Sequence, residues 1–410
     1  MTQDKALEIL KSGANVFLTG EPGSGKSFTI GRFVEWMNTQ NRPYAITAST
    51  GIAASQINGS TIHSWAGIGI RRGISQKEAK GMTRSDLLQR KLGFVQTLVI
   101  DEVSMIDAVT LQDLDTILKE FRDPISPFGG VQIVLVGDFF QLPPVSRDGS
   151  SRFAFESPAW DDAELAVCYL TEQHRQSDPT FLDILSAMRR GQVSDAQKSA
   201  LAATSAAKPD TQLFTHNVDV DALNESELAK LTTKEKIYHM SESGIPALCG
   251  VLKRNCLSPE HLKLKVGAVV MLTRNNFKEG YVNGSIGKVI SLNGDPIVKL
   301  LNGKEVCPER AEWTFVEYGK QKAAIQQIPL RLAWAVTVHK SQGMTLDAAE
   351  IDLSRAFEFG QGYVAISRVR SLQGLRIRGM NERTFEVHPL VVERDLAFRA
   401  ASAKLEKMVQ

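Results

Sequence analysis

Short apolar runs recur through the first half of the chain, and each closes on glycine or on polar residues. Asn15–Thr19 (NVFLT), Pro43–Ala48, Thr97–Asp101 (TLVID) and Val131–Gly137 read as strands of a buried parallel sheet. A helical pattern follows the first of them, from about Gly25 to Thr39. Such alternation predicts an α/β domain, an open and mostly parallel sheet with helices on both faces. Between Thr61 and Leu92 the pattern breaks into Gly, Arg, Lys and Ser with a weak helix signal, so this stretch is expected to be a small insertion outside the sheet.

Helical patterns dominate from Pro179 to about Ser205. A second strand series opens at Gln212–Thr215, with a helix near Val220–Leu231. From Leu264 to about Phe315 the texture changes to short strands separated by Gly and Asn turns, as in LKVGAVVMLTRNN and GYVNGSIGKVISL. That predicts a small β-barrel inserted in a second α/β domain. Strand–helix alternation resumes beyond Pro329. The expected organisation is a first domain over 1–178, a second over 179–263 and 325–410, and a barrel over 264–324.

Composition narrows the class. The chain has 410 residues, 43% hydrophobic and 23% charged, which suits a soluble globular protein of several domains. A net charge of +2 is no polycation, so any nucleic-acid contact must be a local groove. The four cysteines, Cys168, Cys249, Cys256 and Cys307, form no CxxC pair, which argues against a zinc ribbon or redox motif and for reduced thiols in a cytosolic protein. The amphipathic start, MTQDKALEILKSG, lacks an apolar signal core, and no apolar stretch reaches membrane-spanning length.

The chemistry begins at Gly20-Glu21-Pro22-Gly23-Ser24-Gly25-Lys26-Ser27, which matches GxxxxGK[ST] after a strand and before a helix. Backbone N–H groups would close around phosphate, Lys26 would reach the β and γ phosphates, and Ser27 would ligate Mg²⁺. Leu98–Glu102 ends an apolar strand in two acids. Asp101 would hold the magnesium and Glu102 would orient or deprotonate water. In Gly137-Asp138-Phe139-Phe140-Gln141, Gln141 is the candidate γ-phosphate sensor, with Leu142 to Val145 leaning toward a second ligand. Arg175 and Arg368 are candidate arginine fingers acting in cis from a domain interface.

Three hydroxyl-rich strand ends suit a nucleic-acid backbone. They are Thr47–Gly51 with Thr61–Ser64, Thr215–Asn217, and Val336–Gly343 (VTVHKSQG). Trp65, Phe139 and Phe140 are either base-stacking faces or core.

The ordered set GEPGSGKS, ASTGIAA with TIHS, VIDEVSMID, PFGG before GDFFQLPPV, LTEQHRQSD, VTVHKSQGMTLD and YVAISRVRS resembles the Pif (petite integration frequency) family, in the 5′→3′ branch of helicase superfamily one. The resemblance implies two RecA-like P-loop domains with ATP between them, a wedge insertion in the first and an SH3-like barrel in the second. It implies ATP contacts from Gln3, Gly20, Pro22, Gly23, Ser24, Gly25, Lys26, Ser27, Phe28, Gln141, Arg175, Gly343 and Arg368. DNA contacts would come from Thr50, Gly51, His63, Leu142, Pro143, Thr215, Asn217, Thr337, His339 and Lys340. Single-stranded and forked duplex DNA are the implied partners, with G-quadruplexes, R-loops and single-strand-binding or replication proteins as further candidates. A monomer could carry a complete ATP site. The compact chain points to a bacterial or phage protein. A translocase without unwinding, an ATP-gated DNA-binding module and an RNA substrate stay open.

Overall fold

The computed structural model describes residues 1–57, 59–69, 71–144, 152–173, 178–204, 209–215, 220–276, 278–317, 320–339 and 341–408. The chain divides into two compact units, Met1–Arg175 with His388–Gln410, and Gln176–Val387.

The first unit is built on six parallel strands: β1 (Val16–Gly20), β2 (Tyr44–Ala48), β3 (Ser60–Thr61), β4 (Thr97–Asp101), β5 (Gln132–Val136) and β6 (Ala166–Leu170). Their order is β3-β2-β4-β5-β1-β6. The apolar runs behave as their sequence dictates: every residue of β1 and β5 is buried. Helices Gln3–Lys11 and Lys26–Thr39 cover the β1 side through Leu7, Leu10, Phe33 and Met37. The expected insertion opens with β3 inside the sheet and continues as helices Ile62–Trp65, Gln76–Met82 and Asp86–Phe94 outside it. Ser75 and Glu78 form a reciprocal capping box that starts the second of these.

Phe17, Phe139, Phe153, Phe155, Trp160 and Phe398 form an aromatic nest with ring centroids about 5–6 Å apart. Phe398 belongs to helix Pro389–Met408, which therefore sits in the first unit and not in the second, as the sequence had suggested. Its buried side chains explain the placement: the Ser402 hydroxyl accepts from the Tyr169 amide of β6 at 3.0 Å, and Asp395 accepts from the Tyr169 hydroxyl at 3.1 Å.

The second unit starts its parallel sheet with β7 (Gln212–Phe214). Antiparallel strands follow: β8 (Lys236–His239), β9 (Ser241–Gly244), β10 (His261–Leu264), β11 (Val269–Leu272), β12 (Ile286–Ser291), β13 (Ile297–Leu300), β14 (Glu305–Val306), β15 (Ala311–Glu317), β16 (Lys320–Gln327) and β17 (Leu330–Leu332). The parallel sheet resumes with β18 (Ala335–Thr337), β19 (Ala349–Leu353) and β20 (Leu375–Met380), in the order β18-β7-β19-β20. Antiparallel structure thus runs from Lys236 to Leu332, wider than the expected 264–324. It comprises a five-stranded sheet β14-β13-β12-β11-β17, a three-stranded sheet β15-β16-β9 and the ribbon β10-β8. The early strands escape sequence reading because β9 is SESG, fully exposed and without an apolar pattern.

Candidate ATP and nucleic-acid site

In the first unit β5 lies between β1 and β4, so the loops leaving all three emerge side by side at the sheet's carboxyl edge. The loop after β1 is the phosphate loop. Its Gly25 has φ +89°, and a Cβ there would lie 2.1 Å from Gln3 Nε2. The positive φ favours glycine here, and a side chain would also displace the Gln3 amide. Gln3 is held over the loop: its side-chain amide donates to the Ser24 carbonyl at 3.3 Å, and Glu172 accepts from its backbone N–H at 3.1 Å. Lys26 Nζ folds back and donates to the Gly20 and Glu21 carbonyls at 2.8 and 3.1 Å. The Ser24 hydroxyl is buried with no hydrogen-bond partner among the described residues. Pro22 is buried, whereas Ser27 and Phe28 are exposed, with the Arg32 guanidinium 5.9 Å over the Phe28 ring.

Asp101 ends β4, and Glu102 follows it. Burial pushes the Asp101 carboxyl up, against the Glu102 N–H, which donates to its Oδ1 at 2.9 Å, and against the Lys26 charge. Glu102 adopts left-handed φ/ψ (54°, 47°), which turns the chain sharply just beyond β4. In the loop after β5, the Asp138 carboxylate accepts from the Phe140 N–H at 3.2 Å and its carbonyl from the Gln141 N–H at 3.0 Å. Gln141 is buried, and its Oε1 has no hydrogen-bond partner among the described residues. An unsatisfied buried acceptor costs roughly 1–3 kcal/mol, which a donor such as a water held at the site would recover. These orphaned groups, a glycine cradle, a lysine and a buried carboxylate fit a nucleotide triphosphate with Mg²⁺.

The hydroxyl set adjoins this edge. Ala48 pairs with both Asp101 and Thr61. Thr50 and Thr61 each cap a helix, accepting from the Ala53 and Ser64 amides at 3.2 and 3.3 Å, and Gly51 opens the helix after Thr50. His63 is half-buried, and burial pushes its imidazole down despite Asp107 and Asp113.

Burial decides the open reading of three aromatics and corrects one expected DNA contact, at Leu142. Trp65, Phe139 and Phe140 are 4–5% exposed and belong to the core, so they offer no stacking face. Leu142 is 1% exposed, so its side chain has no surface for DNA; Pro143 beside it is half-buried. Arg175, Asn217 and Lys340, and Val145 at the end of the proline loop, lie outside the described residues.

In the second unit, Thr215 follows β7 and Thr337 ends its partner β18, both buried, with the Thr215 carbonyl accepting from Gln361 Nε2 at 3.0 Å. His339 follows, half-buried and pushed down by burial with Glu358 opposing. Gly343 turns the chain at φ +75°. Arg368 is 1% exposed and held by its own helix: Nε donates to the Val364 carbonyl at 2.9 Å and a terminal nitrogen to the Ser367 hydroxyl at 3.0 Å.

Two residues were missed from sequence. Gln173 donates to the Glu21 carboxylate at 3.1 Å, tying the segment after β6 to the phosphate loop. Asp113, 3% exposed, accepts from the Gly73 and Ile74 amides at 3.0 and 2.6 Å and anchors the insertion to helix Ala108–Phe121. Asp113 gives no sequence signal, because it sits between apolar neighbours on a helix face.

The fold and site of the first unit define a P-loop nucleotide hydrolase. Residues 3–199 match the family model described as PIF1-like helicase, and residues 248–292 that of the DNA helicase Pif1 2B domain. The ATP-dependent DNA helicase Pif1 of Psychrobacter sp. is 40% identical over 99% of this chain and 72% of its own. The zebrafish ATP-dependent DNA helicase PIF1 is 39% identical over 94% of this chain, which spans 62% of that protein. Crystalline Pif1 helicase from Candida albicans superposes with a TM-score of 0.76 at 34% identity, over 96% of this chain and 98% of that one. Bacteroides Pif1 in complex with ADP-AlF3 and single-stranded DNA gives 0.64 at 28% identity, over 97% and 96%. The chain belongs to the PIF1-like helicase family, enzymes that couple ATP hydrolysis to work on nucleic acid.

Proposed function

We propose that the chain is an ATP-dependent 5′→3′ DNA helicase that translocates on single-stranded DNA and separates duplexes. The observation that carries this reading is the adjacency, along one sheet edge, of the ATP groups Lys26, Asp101, Glu102 and Gln141 and the strand-contact set Thr50, Gly51 and His63. A change in phosphate state at β1, β4 and β5 is felt one strand away, where a nucleic-acid backbone would lie.

Ser27 and Asp101 would hold Mg²⁺, which supplies charge neutralisation at the phosphates. Lys26 exchanges its loop carbonyls for the β and γ phosphates. Glu102 accepts the proton of the attacking water, and Gln141 reports whether the γ-phosphate is present. Arg175 and Arg368 add positive charge to the γ-phosphate. Phosphate contacts to the strand come from Thr215, Thr337, His339, Asn217 and Lys340. Helices Gln76–Met82 and Asp86–Phe94 are proposed as the wedge, and the five-stranded antiparallel sheet as the SH3-like insertion.

The test is unwinding of 5′-tailed and 3′-tailed duplexes with ATP. Separation of the 5′-tailed substrate alone supports the reading; preference for the 3′ tail overturns it. ATP-driven movement on single strands without strand separation would favour a translocase.

A further inference from the structure

The ribbon β8–β10 carries two histidines in direct register, His239 opposite His261. Both are exposed, and their Nδ1 atoms stand 3.1 Å apart with ring centroids at 5.2 Å. Nothing in the ATP or DNA chemistry uses them. We propose that this pair is a binding site for a borderline first-row cation, Zn²⁺, Ni²⁺ or Cu²⁺.

The bite decides the chemistry. Two nitrogens 3.1 Å apart, each about 2.05 Å from a metal, subtend roughly 98° at it, between the ~90° of square-planar or octahedral and the ~109° of tetrahedral sites. The ribbon fixes the spacing of the two side chains in advance, and a turn of the rings aims both lone pairs at one metal. The adjacent pair Tyr238–Leu262 is buried in the apolar cluster of the five-stranded sheet. The buried Gln327 amide donates to the Tyr238 and Pro259 carbonyls at 3.0 and 2.9 Å, and the Met240 amide to the Glu260 carbonyl at 2.8 Å. The histidine side chains thus stand on a fixed base while facing solvent.

The two Nδ1 atoms share one short contact, and binding takes both of their lone pairs, so any proton held on Nδ1 leaves for Nε2 of the same ring or for solvent. Imidazole donors disfavour Mg²⁺ and Ca²⁺, which prefer oxygen. Among the described residues no third metal-ligating side chain joins the pair, so water fills the other positions. The nearby cations are Lys263, two residues from His261 on the same face, and Arg310, which donates to the His239 carbonyl at 3.1 Å. Lys253 is occupied by Glu242 and Glu260 at 2.9 and 3.0 Å.

Calorimetric titration of the protein with ZnCl2 alone at neutral pH tests the site, with His239→Asn, His261→Asn and the double variant alongside. The parent should take up one Zn²⁺ per chain, and each single variant should bind at least about tenfold more weakly. Imidazole ring resonances of these two histidines should shift on binding, and ATP hydrolysis by the variants should match the parent. Equal uptake by the double variant, or no uptake by the parent at millimolar ZnCl2, would overturn the proposal.

Discussion

The Ser49 amide donates to the Asp101 carbonyl at 3.3 Å. The end of β2, which opens the hydroxyl-rich segment, is therefore bonded to the residue that starts the acidic pair. Ser49, the residue before Thr50 and Gly51, is thus tied directly to Asp101.

Removing the loop cation isolates the ATP chemistry. Lys26→Ala should lower ATP hydrolysis at least about a hundredfold, since it deletes a charge aimed at the developing transition state. A steady-state assay with saturating single-stranded DNA checks this, and parent-like turnover would refute the site assignment.

Gln141 should act on coupling more than on binding. With Gln141→Ala, DNA-stimulated hydrolysis should fall much further than affinity for a non-hydrolysable ATP analogue. Parallel losses in both would remove the sensor role.

Phe139 tests core against nucleic-acid stacking. Its ring lies 4.8 Å from Phe155 and 5.4 Å from Phe17. Phe139→Ala should cost about 3–5 kcal/mol of stability through the cavity it leaves. Chemical denaturation measures this; an unchanged midpoint with weakened DNA binding would reverse the reading.

Gly129 is constrained on both conformation and space. It has φ +61°, and a Cβ would meet the Leu118 carbonyl oxygen at 2.4 Å. The Phe128 amide donates to Asp115 at 2.7 Å, so the PFGG turn is clamped to helix Ala108–Phe121. Gly129→Ala should destabilise the first unit by about 1–3 kcal/mol. Thermal unfolding indistinguishable from the parent would show that the turn can yield.

His63 gives a pH signature. Burial lowers its pKa in the folded state, so the unfolded chain binds more protons below the unperturbed value of 6.5. The stability from a neutral His63 is present above that value and is lost as pH falls through the folded pKa. His63→Asn should therefore show a smaller loss of melting temperature than the parent between neutral and mildly acidic buffer; equal losses would contradict the shift.

The candidate phosphate-binding half of the site was legible because P-loop chemistry is local. Gly20 to Ser27 and Asp101-Glu102 lie on contiguous stretches whose residue types answer directly to phosphate and metal. The strands β1, β4 and β5 were legible for a similar reason, since burial on both faces leaves unbroken apolar runs. What could not be read is what depends on partners distant in sequence. Phe139 and Leu142 look like loop residues until the aromatic nest closes over the first. Asp113 is a carboxylate inside a helix, intelligible only once the Gly73 and Ile74 amides reach it. The polar β9 is held by its pairing with β16, and at its end Gly244 lets the Lys322 carbonyl approach, where a Cβ would stand 2.2 Å away.

Helix Pro389–Met408 sets an order of events during synthesis. The ribosome completes the six strands of the first unit by Leu170, yet Phe398 and Ser402, which close the nest and bond β6, emerge more than two hundred residues later. The second unit is made in the interval. The nascent first unit therefore waits, with Phe17 and Trp160 incompletely covered, until helix Pro389–Met408 has been made.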